Sequence, residues 1–315
     1  MGVNTTIIDV AKKAGVSAMT VSRALNNHPS VRAPVRQRIL QVVQKLGYRP
    51  NLVAKALRSR SLDMVALVTE NLGDPLTGRI VESLTRGLHG HGLRTVLCVS
   101  SVDVAEAQQS LLPRGVILVG DGTQATAARQ QIGAAVAIGD RCSPAPRSPH
   151  VAWDFGPAYR DLGARLQAAG RRKAAYCCSP GAYARLRPTR FAHAEDALNA
   201  GGWPPVIFSQ EVVESVEETA SRVAARPGLV DAVICESDAL AARLSALLQA
   251  AGVPVPQAVQ VVGCDGMLPM KGLWTIVVDV EETARQAVRL LIAQFEGHPT
   301  RPPGVVLTPR LDTGR

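Results

Sequence analysis

Arg23 carries a planar guanidinium fork that pairs with guanine O6 and N7 or with a phosphate. Ala18 and Met19, just before it, offer only apolar contact, for example to a thymine methyl. With Ser22 these residues read as a surface for double-stranded DNA, and the charge around them agrees. The first sixty residues hold eleven Lys and Arg against one acid, Asp9, while the remaining chain holds 24 basic and 25 acidic residues. The net charge of +9 over 315 residues is therefore a property of the amino end. A basic module on a nearly neutral body points to a polyanion for the module and a different partner for the body.

The elements that must position Arg23 are short helices. Thr6 followed by Asp9 predicts a capping box that opens a helix running to about Ala14. Gly15 tolerates the left-handed conformation that ends it. Ser17 caps a second helix reaching about Leu25. Ala11, Gly15 and Val21 then have helix-turn-helix spacing: a small residue where two helices approach, a turn, and a residue in their shared core. A third helix begins near Pro34, whose missing N–H costs nothing in a first turn. Val35, Ile39, Val42, Val43 and Leu46 make one buried stripe along it, and Gly47 closes it. In such a unit the second helix enters the major groove, exposing Ala18, Met19, Ser22 and Arg23. Spacing alone also fits an interaction bundle with a basic face.

Beyond the module the chain is long enough for a sizeable core. No apolar run reaches the ~18 residues of a membrane span, and the amino end lacks the pattern of a secretion signal. Cys98, Cys142, Cys177, Cys178, Cys235 and Cys264 form no CxxC pair and read as reduced core residues of a cytosolic protein. Four strand-like runs, "MVALVT", "RTVLCVS", "GVILVG" and "AAVAIG", alternate with helical stretches. A second set follows: "HVAWD", "KAAYCCS", "PVIFSQE", "AVICES" and "VQVVGCD". Nearly continuous hydrophobic strands separated by helices imply parallel sheets covered on both faces. Two sets imply two lobes with a cleft at the carboxyl ends of the strands.

The stretch "TTIIDVAKKAGVSAMTVSRALNN", followed by "VRQRILQVVQKLGYRPNLVAKALRS", resembles the headpiece of LacI-type bacterial transcription regulators. The match covers about sixty residues, and "MTVSRAL" is most similar to the gluconate-repressor branch. The body's strand order resembles the periplasmic-binding-protein-like core of the same family. The implied architecture is an all-α helix-turn-helix headpiece (1–50), a hinge helix or linker (51–61) and an α/β core of two parallel-sheet lobes (62–315). The first lobe would hold about 62–150 and 279–300, the second about 151–278 and 301–315. The implied DNA-binding set is Thr6, Ser17, Ala18, Met19, Thr20, Ser22, Arg23, Asn26, Tyr48, Asn51, Ala54, Lys55 and Leu57. Leu57 matches a leucine that wedges into a base step, and Ala54 the small residue that lets paired hinge helices touch. The alternative is a plain linker helix with Leu57 in a core. Between Ser101 and Gly115 the chain departs from the family, being about two helical turns short.

The resemblance also implies an effector site made of Asp74, Leu76, Ser100, Trp153, Arg190, Asp238 and Asp279. The loop at Asp74 to Thr77 lacks the family's stacking aromatic. Arg190 suits a carboxylate or phosphate, or pairs with Asp238 or Glu195. Asp238 suits sugar hydroxyls, or caps the helix that follows it. Trp153 and Trp274 floor a pocket or pack in the core. A sugar acid such as gluconate or ketogluconate is the leading effector, with a neutral sugar or a degenerate site as alternatives.

"GDGTQAT" at Gly120 to Thr126 lacks a nucleotide-binding fingerprint, no His has zinc-ligand spacing, and no nucleophile elbow is present. The expectation is a cytoplasmic, nucleoid-associated bacterial regulator, not an enzyme, with no cofactor, no metal and no membrane partner. It would repress transcription from a pseudo-palindromic operator as a homodimer or tetramer. A transport receptor sharing the core would carry a secretion signal and no basic headpiece.

Overall fold

Thr6 opens the first helix by the mechanism its spacing predicts. In the computed structural model its hydroxyl accepts the Asp9 N–H at 3.3 Å, and the Asp9 carboxylate accepts the Thr6 N–H at 2.8 Å. The structure describes residues 5–25, 28–48, 62–69, 71–99, 113–120, 133–140, 149–178, 190–200, 202, 215–268, 270–297 and 304–314. The chain divides into two units, Met1–Leu62 and Asp63–Arg315.

The first unit contains α1 (Ile7–Ala14), α2 (Ala18–Leu25) and α3 (Ala33–Lys45). Gly15 stands between α1 and α2 at φ 64°, in the left-handed region that its lack of a Cβ permits. Val10, Ala11, Ala14, Val21, Ala24, Val31 and Ile39 form the core. Of the α3 stripe only Ile39 is fully buried; Val35, Val42, Val43 and Leu46 pack against the core half-buried. Two side chains pin the loops. Arg36 donates to the His28 carbonyl at 2.8 Å, and Thr5 donates to the Leu46 carbonyl at 3.1 Å.

The second unit holds two sheets. The first contains β1 (Leu62–Thr69), β2 (Arg94–Cys98), β3 (Pro113–Val119), β4 (Ala135–Asp140), β5 (His150–Trp153) and β10 (Val305–Leu307), in the order β10-β5-β4-β3-β1-β2. The second contains β6 (Ala174–Cys177), β7 (Ala232–Cys235), β8 (Gln260–Asp265), β9 (Trp274–Val277) and β11 (Arg310–Asp312), in the order β11-β9-β8-β7-β6. Strands β5 to β8 are buried along their whole length, which explains their unbroken apolar runs. Helices α4 (Pro75–Gly90) and α9 (Val280–Phe295) pack together on the first sheet. Helices α5 (Gly156–Ala168), α6 (Ala192–Ala200), α7 (Val216–Ala225) and α8 (Asp238–Ala250) belong to the second lobe.

The lobe boundaries need correction. "HVAWD" belongs to the first sheet, because β5 pairs with β4 and β10. The chain therefore crosses at Asp154–Phe155 rather than at about residue 150. The tail "GVVLTPRLDT" is split: its first strand closes the first sheet, and only β11 enters the second, antiparallel to β9. Strand β9, at "WTIV", went unrecognised because it is short and only Ile276 in it is fully buried. Residues Asn26, Asn51, Ala54, Lys55, Leu57, Ser100, the run "PVIFSQE" and the shortened segment after Ser101 lie outside the described residues.

Candidate functional site

The recognition surface of the first unit is set by capping and by helix phase. Ser17 accepts the Thr20 N–H at 3.1 Å and shares a hydrogen bond of 2.9 Å with the Thr20 hydroxyl, which fixes where α2 starts. Val21 and Ala24 then face inward, and Met19 and Arg23 face out. Met19 is 59% exposed, far more than an apolar side chain with a place in the core. Ala18 and Tyr48 pack half-buried against the headpiece core, and Ser22 is half-buried. Thr6 is committed to the α1 cap, and its hydrogen bonds hold the Asp9 carboxyl below the usual range. The described residues thus leave Met19 and Arg23 as the freest groups on α2.

In the second unit the strand ends of both sheets meet across the cleft. Arg190, one residue before Phe191 and α6, belongs to the second lobe, while Asp140 ends β4 in the first. They form a two-pronged ion pair: Nε to one Asp140 oxygen at 2.9 Å and Nη2 to the other at 3.1 Å. Both side chains are nearly buried, at 12% and 13% exposure. The Arg190 Nη1 donates to the Glu236 carbonyl at 3.3 Å and to Cys264 Sγ at 3.6 Å. Its guanidinium lies 4.7 Å from the centre of the Phe155 ring, on the crossing segment. Burial alone would lower the Arg190 pKa, but the Asp140 charge outweighs it and raises the value. Arg190 therefore pairs with neither Asp238 nor Glu195; its partner is 50 residues away on the other lobe.

A second group of carboxyls lies nearby. Ser237, not Asp238, caps α8, accepting the Leu240 N–H at 3.3 Å. Asp238 is fully buried, and its carboxylate accepts the Thr275 hydroxyl at 2.5 Å and the Leu268 N–H at 3.0 Å. Gly263 makes room for it, since a Cβ there would collide with an Asp238 oxygen. Beside it Asp265 ends β8 at φ 106°, a strained backbone for a residue with a side chain. Burial, then the charge of Asp238, push the Asp265 carboxyl up to about 8, and Asp74 on the first lobe adds to the effect. Asp238 and Asp265 thus share one buried site, where two adjacent negative charges are disfavoured.

The remaining expected residues separate. Asp74 caps α4, accepting the Thr77 N–H at 2.9 Å and its hydroxyl at 2.7 Å. Leu76 is buried in the first-lobe core. Trp153 does not floor a pocket: it is buried in that core, and its indole N–H donates to Thr283 on α9 at 3.1 Å. Asp279 caps α9, accepting the Glu282 N–H at 2.9 Å, and lines a groove beside Met267. Sequence reasoning missed Asp140 and Asp265. Each is the acid at the carboxyl end of a buried strand, "AIGD" and "VGCD", where ligands bind in sheets of this kind; that position was the available signal.

Residues 6–51 match the model for bacterial regulatory proteins of the lacI family, and residues 164–315 match a periplasmic binding protein-like domain. The chain belongs to the LacI family. It is a DNA-binding transcriptional regulator and not an enzyme. It is 36% identical over 99 residues to the HTH-type transcriptional regulator DegA of Bacillus subtilis, 31% of this chain and 29% of that protein. The sucrose operon repressor of Pediococcus pentosaceus is 23% identical over 90% of this chain and 89% of its own length. The structure of the lac repressor dimer bound to operator and the anti-inducer ONPF superposes with a TM-score of 0.83. It is 21% identical and covers 99% of each chain. No helix among the described residues is long and apolar enough to cross a membrane.

Proposed function

We propose that this regulator is a cytoplasmic repressor that binds a pseudo-palindromic operator as a dimer and answers to a neutral sugar in the interlobe cleft. The observation that carries this reading is the Arg190–Asp140 ion pair across the cleft. It joins the two lobes, so a ligand that competes for it changes their relative stability and shifts the population of lobe arrangements. It also neutralises the arginine on which a sugar-acid effector would depend. The neighbouring carboxyls, Asp238 and Asp265, are buried together and disfavour a second carboxylate. The sucrose operon repressor among the relatives fits a neutral ligand, and the lac repressor bound to operator fits DNA binding by a dimer.

The test is selection of binding sites from a randomised duplex pool by the full-length protein, followed by release with a panel of neutral sugars and sugar acids. Enrichment of a two-fold symmetric site, released by a neutral sugar, supports the reading. Enrichment of no sequence ends it, and release by sugar acids alone returns the arginine to a ligand-binding role.

A further inference from the structure

The chain passes between the lobes at 154–155, between β5 and α5, at 278–279, between β9 and α9, and at 308–309, between β10 and β11. Hydrogen bonds fasten the first-lobe ends of these crossings to one another. Trp153, the last residue of β5, donates its indole N–H to the Thr283 hydroxyl at 3.1 Å. That hydroxyl donates in turn to the Asp279 carbonyl, on the second crossing, at 2.7 Å. The Asp154 N–H, on the first crossing, donates at 2.9 Å to the carbonyl of Leu307, just before the third.

Core packing alone does not account for the Trp153–Thr283 link. Strand β5 is buried along its length, where an aliphatic side chain fills space without an N–H that needs a partner. Thr283 is fully buried, and the other buried residues of α9 are apolar. Its hydroxyl is used twice, as acceptor for Trp153 and as donor to Asp279. Trp153 also meets the Phe155 ring edge-on, with centres 6.5 Å apart, and Phe155 carries the Arg190 guanidinium. Asp140, the partner of Arg190, lies opposite Trp153 in the first sheet. An unbroken series of contacts therefore runs from the Arg190–Asp140 pair through Phe155 and Trp153 to the first turn of α9, which packs against α4.

We infer that Trp153 and Thr283 are positioning residues for regulation. They clamp the first crossing to α9, so that opening the Arg190–Asp140 pair moves the first-lobe helices instead of being absorbed in the crossing segments. This rests on the reading above that the ion pair sets the lobe arrangement, and it adds the route by which the first lobe responds. The clamp is stiff because breaking it strands a buried indole N–H, which costs more than an intact bond contributes. Contiguous packed side chains and hydrogen bonds of this kind carry coupling between distant sites.

Hydrogen exchange of the full-length protein tests this, with Arg190→Lys used to loosen the pair. Lysine keeps the charge and gives up the two-pronged fork. In the otherwise unaltered protein this substitution is expected to speed exchange of the α9 first-turn amides, residues 282–285, by about tenfold or more, the factor of one lost hydrogen bond to a charged group. With Thr283→Val in place, Arg190→Lys should change those amides by less than about twofold and still speed exchange at residues 154–159. Trp153→Phe, which keeps a ring and loses the N–H, should act as Thr283→Val does. Thr283→Ser should restore the full response, because it keeps the hydroxyl. An undiminished α9 response in both Thr283→Val and Trp153→Phe overturns the clamp and leaves the ion-pair reading standing. Faster exchange throughout β1 and β3 from Thr283→Val alone does the same, since it makes Thr283 a general core residue. If Arg190→Lys changes exchange in neither lobe, both readings fall.

Discussion

The headpiece and the core build their binding surfaces in opposite ways. On α2 the groups left free, Met19 and Arg23, project into solvent. In the cleft the charged groups are buried and already paired: Arg190 with Asp140, Asp238 with Asp265 and Thr275. The difference follows from the ligand. A polyanion is attracted at long range by exposed positive charge, and binding releases its counterions. A small polar molecule must be told from water, which buried groups of fixed geometry do when only the right ligand can replace the partners they already hold.

This contrast can be broken at several points. The largest effect is expected from salt. Raising it from 50 to 200 mM should weaken operator binding by about 10³-fold or more in a fluorescence titration. Effector binding measured over the same range should barely move. Equal sensitivity would mean that the cleft also works by exposed charge. Next is Arg190→Ala, which strands a buried carboxylate and should cost the core about 3–5 kcal/mol in denaturant unfolding. The headpiece transition should not shift, and adding Asp140→Ala should recover part of the loss. Arg23→Ala should lower discrimination between operator and altered duplexes by about 1–3 kcal/mol. A uniform loss on every duplex would assign Arg23 to phosphate instead.

The smallest effect concerns pH. Asp265 has a folded-state value raised to about 8, so its contribution is complete below its unfolded pKa and is lost as pH rises toward 8. Asp265→Asn keeps a donor toward Asp238 and cannot ionise. Between pH 6 and 7 the variant's stability should therefore fall less than the wild type's, by about 1 kcal/mol in urea unfolding. Identical slopes would show that Asp265 does not hold the proton.

The headpiece was legible because its determinants are local. The Thr6–Asp9 box, Gly15 and Ser17 each act within one helical turn, and the α3 stripe is a matter of helical period. The cleft was legible only in part. Arg190 and Asp238 were picked out, but with the wrong partner for one and a helix cap as the alternative for the other. Trp153, Asp74 and Leu76 are spent on core packing and capping, uses that a strand-end or loop position does not distinguish from ligand binding.

From the residues alone came the basic amino end, the three helices with their caps, most of the buried strands and the division into a small basic module and a two-lobed body. Those follow from side-chain periodicity and from charges counted along the chain. Tertiary structure alone decided that β5 and β10 complete the first sheet, that Arg190 reaches across to Asp140, and that Asp238 and Asp265 share a buried site. Each of these joins residues far apart in the chain, and what a buried charge pairs with depends on which strand ends the fold brings together.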